Sequence, residues 1–117
     1  SAAFSLRAWR QILGHVSFLC LDVFDFLTKC KDRDGHGVYC DPPFPGPGDG
    51  YRHKFSEADH QRLAKCLEGY KKTRVVCRFY EHPLIRELYP EDRWTWHAKT
   101  GRKSTNAAAA EVLLTKN

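Results

Sequence analysis

The stretch that most constrains this chain is Asp41-Pro42-Pro43-Phe44, set directly after the apolar run Gly37-Val38-Tyr39-Cys40. Two adjacent prolines supply no backbone donor and hold φ at about −65°, so neither a helix nor a central strand can run through them. The run ahead of them therefore reads as a buried strand ending at Cys40, and the tetrapeptide as a stiff turn at its carboxyl end. The chemistry of the four residues goes with that shape. The Asp41 carboxylate and the Pro42 carbonyl can each accept a hydrogen bond from one NH2 group, and Phe44 offers a face for stacking. Together they suit a flat, amino-bearing ring.

The flanking sequence alternates helical and extended patterns. Leu6 to Leu13 has apolar residues at helical spacing, with Trp9, Ile12 and Leu13 available for one face, and Gly14 stops it. Val16-Ser17-Phe18-Leu19-Cys20-Leu21 reads as a strand. Asp22 then stands at an N-cap position, and Val23, Phe26 and Leu27 form a helical stripe that continues to about Lys31. Asp32 to Gly37 is a turn leading into the strand 37–40. After the Pro- and Gly-rich segment 45–50, Ser56-Glu57-Ala58-Asp59 has the capping pattern of a helix start, with Leu63, Ala64 and Leu67 facing inward and Gly69 at the end. Arg74 to Tyr80 reads as a strand, Pro83 as the first turn of a short helix carrying Leu84, Ile85 and Leu88, and Trp94–Trp96 and Glu111–Leu114 as two last strands. Such alternation predicts an open, mainly parallel α/β sheet, which binds ligands beyond the carboxyl ends of its strands. Asp22 and Asp41 both follow expected strands and are expected on one edge of that sheet.

Composition narrows the class further. The length, 117 residues, suits one small domain, and no apolar run approaches the roughly 20 residues of a membrane helix. No signal-peptide layout opens the chain, and Met is absent even at position 1, which reads as processing or as a start inside a longer protein. Nineteen Lys and Arg against fourteen Asp and Glu give a net charge of +5, which favours a polyanionic partner. Five Cys, none in CxxC spacing, point to a reducing, cytoplasmic setting, with Cys20, Cys40 and Cys77 expected as small buried residues. The six His form no HExxH or paired-Cys arrangement, so no metal site is expected.

The ordered series of Asp41-Pro42-Pro43-Phe44, the Gly/Pro segment, Phe55-Ser56-Glu57-Ala58-Asp59-His60 with Leu63, Val75-Val76-Cys77-Arg78-Phe79-Tyr80, Pro83-Leu84-Ile85-Arg86-Glu87-Leu88-Tyr89 and Glu111-Val112-Leu113-Leu114 resembles the Dam-type DNA adenine methyltransferases over roughly residues 15–117. The resemblance implies a partial Rossmann-like, S-adenosylmethionine-dependent methyltransferase fold holding the C-terminal half of the sheet. It implies methyl transfer from S-adenosylmethionine to N6 of a flipped-out adenine in DNA. Asp41, Pro42, Pro43 and Phe44 would form the catalytic clamp, with Phe44 standing where the family usually has Tyr. Asp22, Val23 and Phe24, with Asp41, would contact the cofactor. Arg102, Lys103, Lys99 and Arg52 would hold DNA phosphates. Each has a plainer reading: Asp22 as a helix cap, Asp41 as a turn residue, Phe44 as core, the basic residues as a solvated surface. His60 reads as a surface or helix-packing residue rather than a catalyst.

The family's glycine-rich Phe-x-Gly-x-Gly turn and its target-recognition region have no counterpart here. The chain is therefore expected to be the C-terminal catalytic part, completed by an N-terminal half or a separate subunit, and inactive by itself. Two strands of the missing half would separate the strand near 16–21 from that near 37–40. A non-catalytic basic nucleic-acid-binding module, or the same chemistry on RNA or on cytosine N4, stays open.

Overall fold

A computed structural model describes residues 2–45, 55–98 and 110–117. The chain divides into two compact units, residues 1–30 and 31–117.

The first unit is helical. Helix α1 spans Ala2–Leu13 and gives way at Gly14, whose N–H still reaches Arg10 O at 3.1 Å. Helix α2 spans Val23–Lys29 and is capped by Asp22, as its sequence position predicts. Between them the expected strand does not form: residues 16–21 pair with no other strand among the described residues. A strand needs a partner to satisfy its backbone, and the described residues offer none to this segment. Its apolar side chains stay in solvent, Phe18 with 77% of its surface, and Cys20 is exposed rather than buried. Trp9, Ile12 and Leu13 of α1 are likewise exposed. Phe24 and Leu27 are the buried residues of α2.

The second unit is a mixed α/β arrangement built on one four-stranded sheet. Its elements in chain order are β1 (Gly37–Cys40), α3 (Glu57–Glu68), β2 (Arg74–Tyr80), α4 (Pro83–Leu88), β3 (Trp94–Ala98) and β4 (Glu111–Lys116). The sheet order is β1-β2-β4-β3. Only β1 and β2 run parallel; β4 is antiparallel to both neighbours, so the sheet is mixed and not mainly parallel. The helix α3 supplies the crossover a parallel pair requires. As the edge strand, β1 is covered less than its apolar run suggests: Cys40 is buried but Tyr39 is exposed.

A turn fixes where the parallel pair begins. Gly35 takes φ +81°, the left-handed region that glycine enters without strain. Just ahead of it, the Asp32 carboxylate accepts the backbone N–H groups of Lys71, Lys72 and Thr73 at 2.8, 2.9 and 2.8 Å. Those bonds, Thr73 first, hold its pKa far below the usual carboxylate range. The approach to β1 is thereby tied to the approach to β2, and the ladder starts with Gly37 opposite Arg74.

Alternation along the central strands defines the core. Val75, Cys77 and Phe79 of β2 and Val112 and Leu114 of β4 are buried, while the intervening residues are half covered. The buried face carries a run of rings: Phe55 to His60 at 4.7 Å, His60 to Phe79 at 6.1 Å, Phe79 to Tyr89 at 5.2 Å and Tyr89 to Trp94 at 4.9 Å. Helix α3 contributes Leu63, Ala64 and Leu67 to the core, and α4 contributes Ile85. A reciprocal cap starts α3: Ser56 Oγ accepts from Asp59 N at 3.1 Å and Asp59 Oδ2 from Ser56 N at 2.9 Å.

Candidate active site

The register of the parallel pair builds the site. Cys40, the last residue of β1, lies opposite Cys77, so the next residues, Asp41 and Arg78, are neighbours. Arg78 Nη1 donates to Asp41 Oδ1 at 3.3 Å, and Arg78 Nε donates to Glu111 Oε1. Glu111 lies opposite Tyr80 in the antiparallel ladder, which makes it the diagonal neighbour of Arg78. The three charged groups therefore run across β1, β2 and β4. Glu111 first, and Asp41 after it, raise the pKa of the Arg78 guanidinium above its ordinary value. Two carboxylates around one guanidinium leave the group with one negative charge. The Asp41 side chain is 48% exposed and can still be reached by a ligand.

Phe44 returns to the same place. Its ring centroid lies 4.2 Å from that of Tyr80, tilted by 57°, and Arg78 Cζ lies 5.6 Å from the Phe44 centroid. Pro42, Pro43 and Phe44 are all half-buried, so Phe44 is anchored without being absorbed into the core. The structure thus brings Asp41 and Phe44, the two ends of the tetrapeptide, into one cluster. It adds three residues that the sequence reading did not single out as site residues: Arg78, Tyr80 and Glu111. A signal for them existed, since a charge in the middle of the apolar strand Val75-Val76-Cys77-Arg78-Phe79-Tyr80 needs a partner.

Asp22, Val23 and Phe24 lie in the first unit. Asp22 Oδ1 accepts from Phe24 N at 2.9 Å and from Asp25 N at 3.4 Å, the geometry of a helix cap. Both bonds fall on one oxygen, so Asp22 can cap α2 and still offer Oδ2 to a ligand. Since no strand precedes it, the expectation that Asp22 and Asp41 both end strands on one sheet edge holds for Asp41 alone. The four expected phosphate contacts, Arg52, Lys99, Arg102 and Lys103, lie outside the described residues, as do His53 and Lys54.

His60 is buried on α3, which fits packing and not a surface position or a catalyst. Among the described residues neither ring nitrogen has a hydrogen-bond partner, and burial lowers the pKa of His60. Among the described residues no three His, Cys, Asp or Glu cluster as metal ligands, and no helix is long and apolar enough to cross a membrane.

No family model matches the chain. Over 110 residues it is 30% identical to the Retron Ec67 DNA adenine methylase of Escherichia coli. The match covers 91% of this chain and 37% of that relative, so the chain spans little more than a third of its length. The similarity relates most of this chain to part of a DNA adenine methylase.

Proposed function

We propose that this chain is the C-terminal catalytic part of an S-adenosylmethionine-dependent DNA adenine N6-methyltransferase. Its sheet is then the C-terminal portion of a Rossmann-like methyltransferase fold. The observation that carries the reading is the half-exposed Asp41 carboxylate at the carboxyl end of β1, one turn from the anchored ring of Phe44. The similarity to a DNA adenine methylase supports the choice of substrate.

The amino nitrogen of adenine is a poor nucleophile because its lone pair is delocalised into the ring. Asp41 and the Pro42 carbonyl each accept one amino hydrogen, which draws the nitrogen toward tetrahedral geometry and frees the lone pair. Phe44 stacks on the base, which must leave the duplex to reach it. Pro42 and Pro43 keep the two acceptors fixed, so little reorganisation is needed at the moment of reaction. The single negative charge of the Asp41–Arg78–Glu111 group stabilises the positive charge that grows on the nitrogen. S-adenosylmethionine, when bound, supplies an electrophilic methyl group; Asp22, Val23 and Phe24 are the residues we assign to holding it. Arg52, Lys99, Arg102 and Lys103 are assigned to the DNA backbone.

The test is Asp41→Ala in the complete protein, with N6-methyladenine measured in the DNA of expressing cells. A loss of roughly 10³-fold or more in transfer is expected, the size seen when one preorganised polar group is removed from a reacting centre. Stability should change by less than about 1 kcal/mol, because the ion pair it breaks is partly exposed. Persistent methylation sinks the assignment of Asp41. Methyl groups found on cytosine N4 or on RNA would keep the clamp and replace the substrate.

A further inference from the structure

Arg78 touches both ends of the tetrapeptide. It donates through Nη1 to Asp41 Oδ1, lies with Cζ 5.6 Å from the Phe44 centroid, and is braced behind by Glu111 through Nε. It projects from β2, which is hydrogen-bonded to β1 on one side and β4 on the other, so its own base is firm. Asp41, by contrast, stands beyond the last ladder position of β1 and is exposed. Among the described residues, the Arg78 guanidinium is the donor from which the Asp41 side chain accepts. A partly exposed ion pair such as this one adds little to folding stability, so stability is a poor account of why a charge sits in an apolar strand.

We propose that Arg78 is the positioning residue of the amino-group clamp, a role that rests on the reading of Asp41 given above. By holding Oδ1 it fixes the plane of the carboxylate and leaves Oδ2 for the amino hydrogen. Glu111 fixes the other limb of the guanidinium and offsets its charge. Arginine suits this task because its planar fork can serve two acceptors at once; lysine offers a point charge on a flexible stem. Arg78 therefore acts on the reaction through Asp41 and Phe44.

Steady-state methyl transfer by the complete protein tests this, with Arg78→Ala, Arg78→Lys, Glu111→Ala and the Arg78→Ala/Glu111→Ala pair. In Arg78→Ala we expect kcat to fall about 10- to 100-fold, the cost of a small misplacement at a reacting centre. KM for DNA and for the methyl donor should each stay within about threefold, since the lost interaction serves the transition state. Arg78→Lys should recover part of kcat. The double variant should be no slower than Arg78→Ala, because Glu111 acts through Arg78. A crystal structure of Arg78→Ala gives a readout independent of turnover: the Asp41 carboxylate should leave its wild-type orientation. An active wild type whose kcat ignores Arg78→Ala, or a double variant whose loss is the product of the two single losses, overturns the positioning role and leaves the clamp standing. A wild type that transfers no methyl group overturns both.

Discussion

At the scale of single residues, chemistry and packing are divided between two faces of β2. Arg78 and Tyr80 alternate with Cys77 and Phe79, so the charged cluster lies on the half-covered face and apolar packing on the buried one. His60 is the exception, an ionisable ring between Phe55 and Phe79. Its pKa is lowered chiefly by burial, with Asp59 pulling up and His82 pushing down. A histidine with a lowered native pKa favours the neutral form. Its contribution to stability is therefore full above its unfolded value of 6.5 and is lost as pH falls below it. We expect the urea midpoint to drop on acidification from pH 7 to 5, and His60→Leu to flatten that drop. At pH 7 the same substitution should cost no more than about 1 kcal/mol, because it removes two unsatisfied ring nitrogens along with the packing. A wild-type midpoint that holds steady over this range would speak against a buried neutral His60.

At the scale of elements, the lock between the turn at Asp32 and the approach to β2 sets the ladder that the candidate site depends on. Asp32 makes three backbone hydrogen bonds, which depress its pKa. A depressed carboxylate contributes stability above its ordinary value of 3.8 and loses it as pH falls toward its native value. Asp32→Asn should lower Tm at pH 7 and show a smaller further loss below about pH 4 than the wild type; thermal melts across that range check it. Much at this scale was legible in the sequence. The capped start at Ser56, the stop at Gly14, Pro83 opening α4 and the cap at Asp22 are local chemistry, and local chemistry decides them. Two features were not legible. Residues 16–21 have the composition of a strand, but a strand also needs a partner, and composition does not state whether one exists. The antiparallel entry of β4 between β2 and β3 is likewise a matter of pairing order. Asp41 and Phe44 could be picked out by type, whereas Arg78, Tyr80 and Glu111 join them only through register.

At the scale of the molecule, the two units differ in how they are held. The second has buried strands, a ring-lined core and ladders on both sides of β2; the first leaves residues 16–21 without a ladder and most of their apolar side chains in solvent. Native-state hydrogen exchange should report this directly. Amides of β2 and β4 should be the best protected, and those of 16–21 should exchange close to the unprotected rate. Protection across 16–21 equal to that of β4 would mean that a partner strand is present in solution. The Asp41–Arg78–Glu111 string has a further consequence, because it runs across the strands and not along them. A molecule in which β4 settled two residues out of step would carry Glu111 roughly 7 Å from its place, with every side chain still on its proper face. Such a misfolded form would bury nearly the same core, yet Arg78, which holds the aspartate, would lose the brace of Glu111. On our reading of the site it would therefore be a poor catalyst. Turnover would then serve as a gauge of folding fidelity, sensitive to an error that burial alone barely registers.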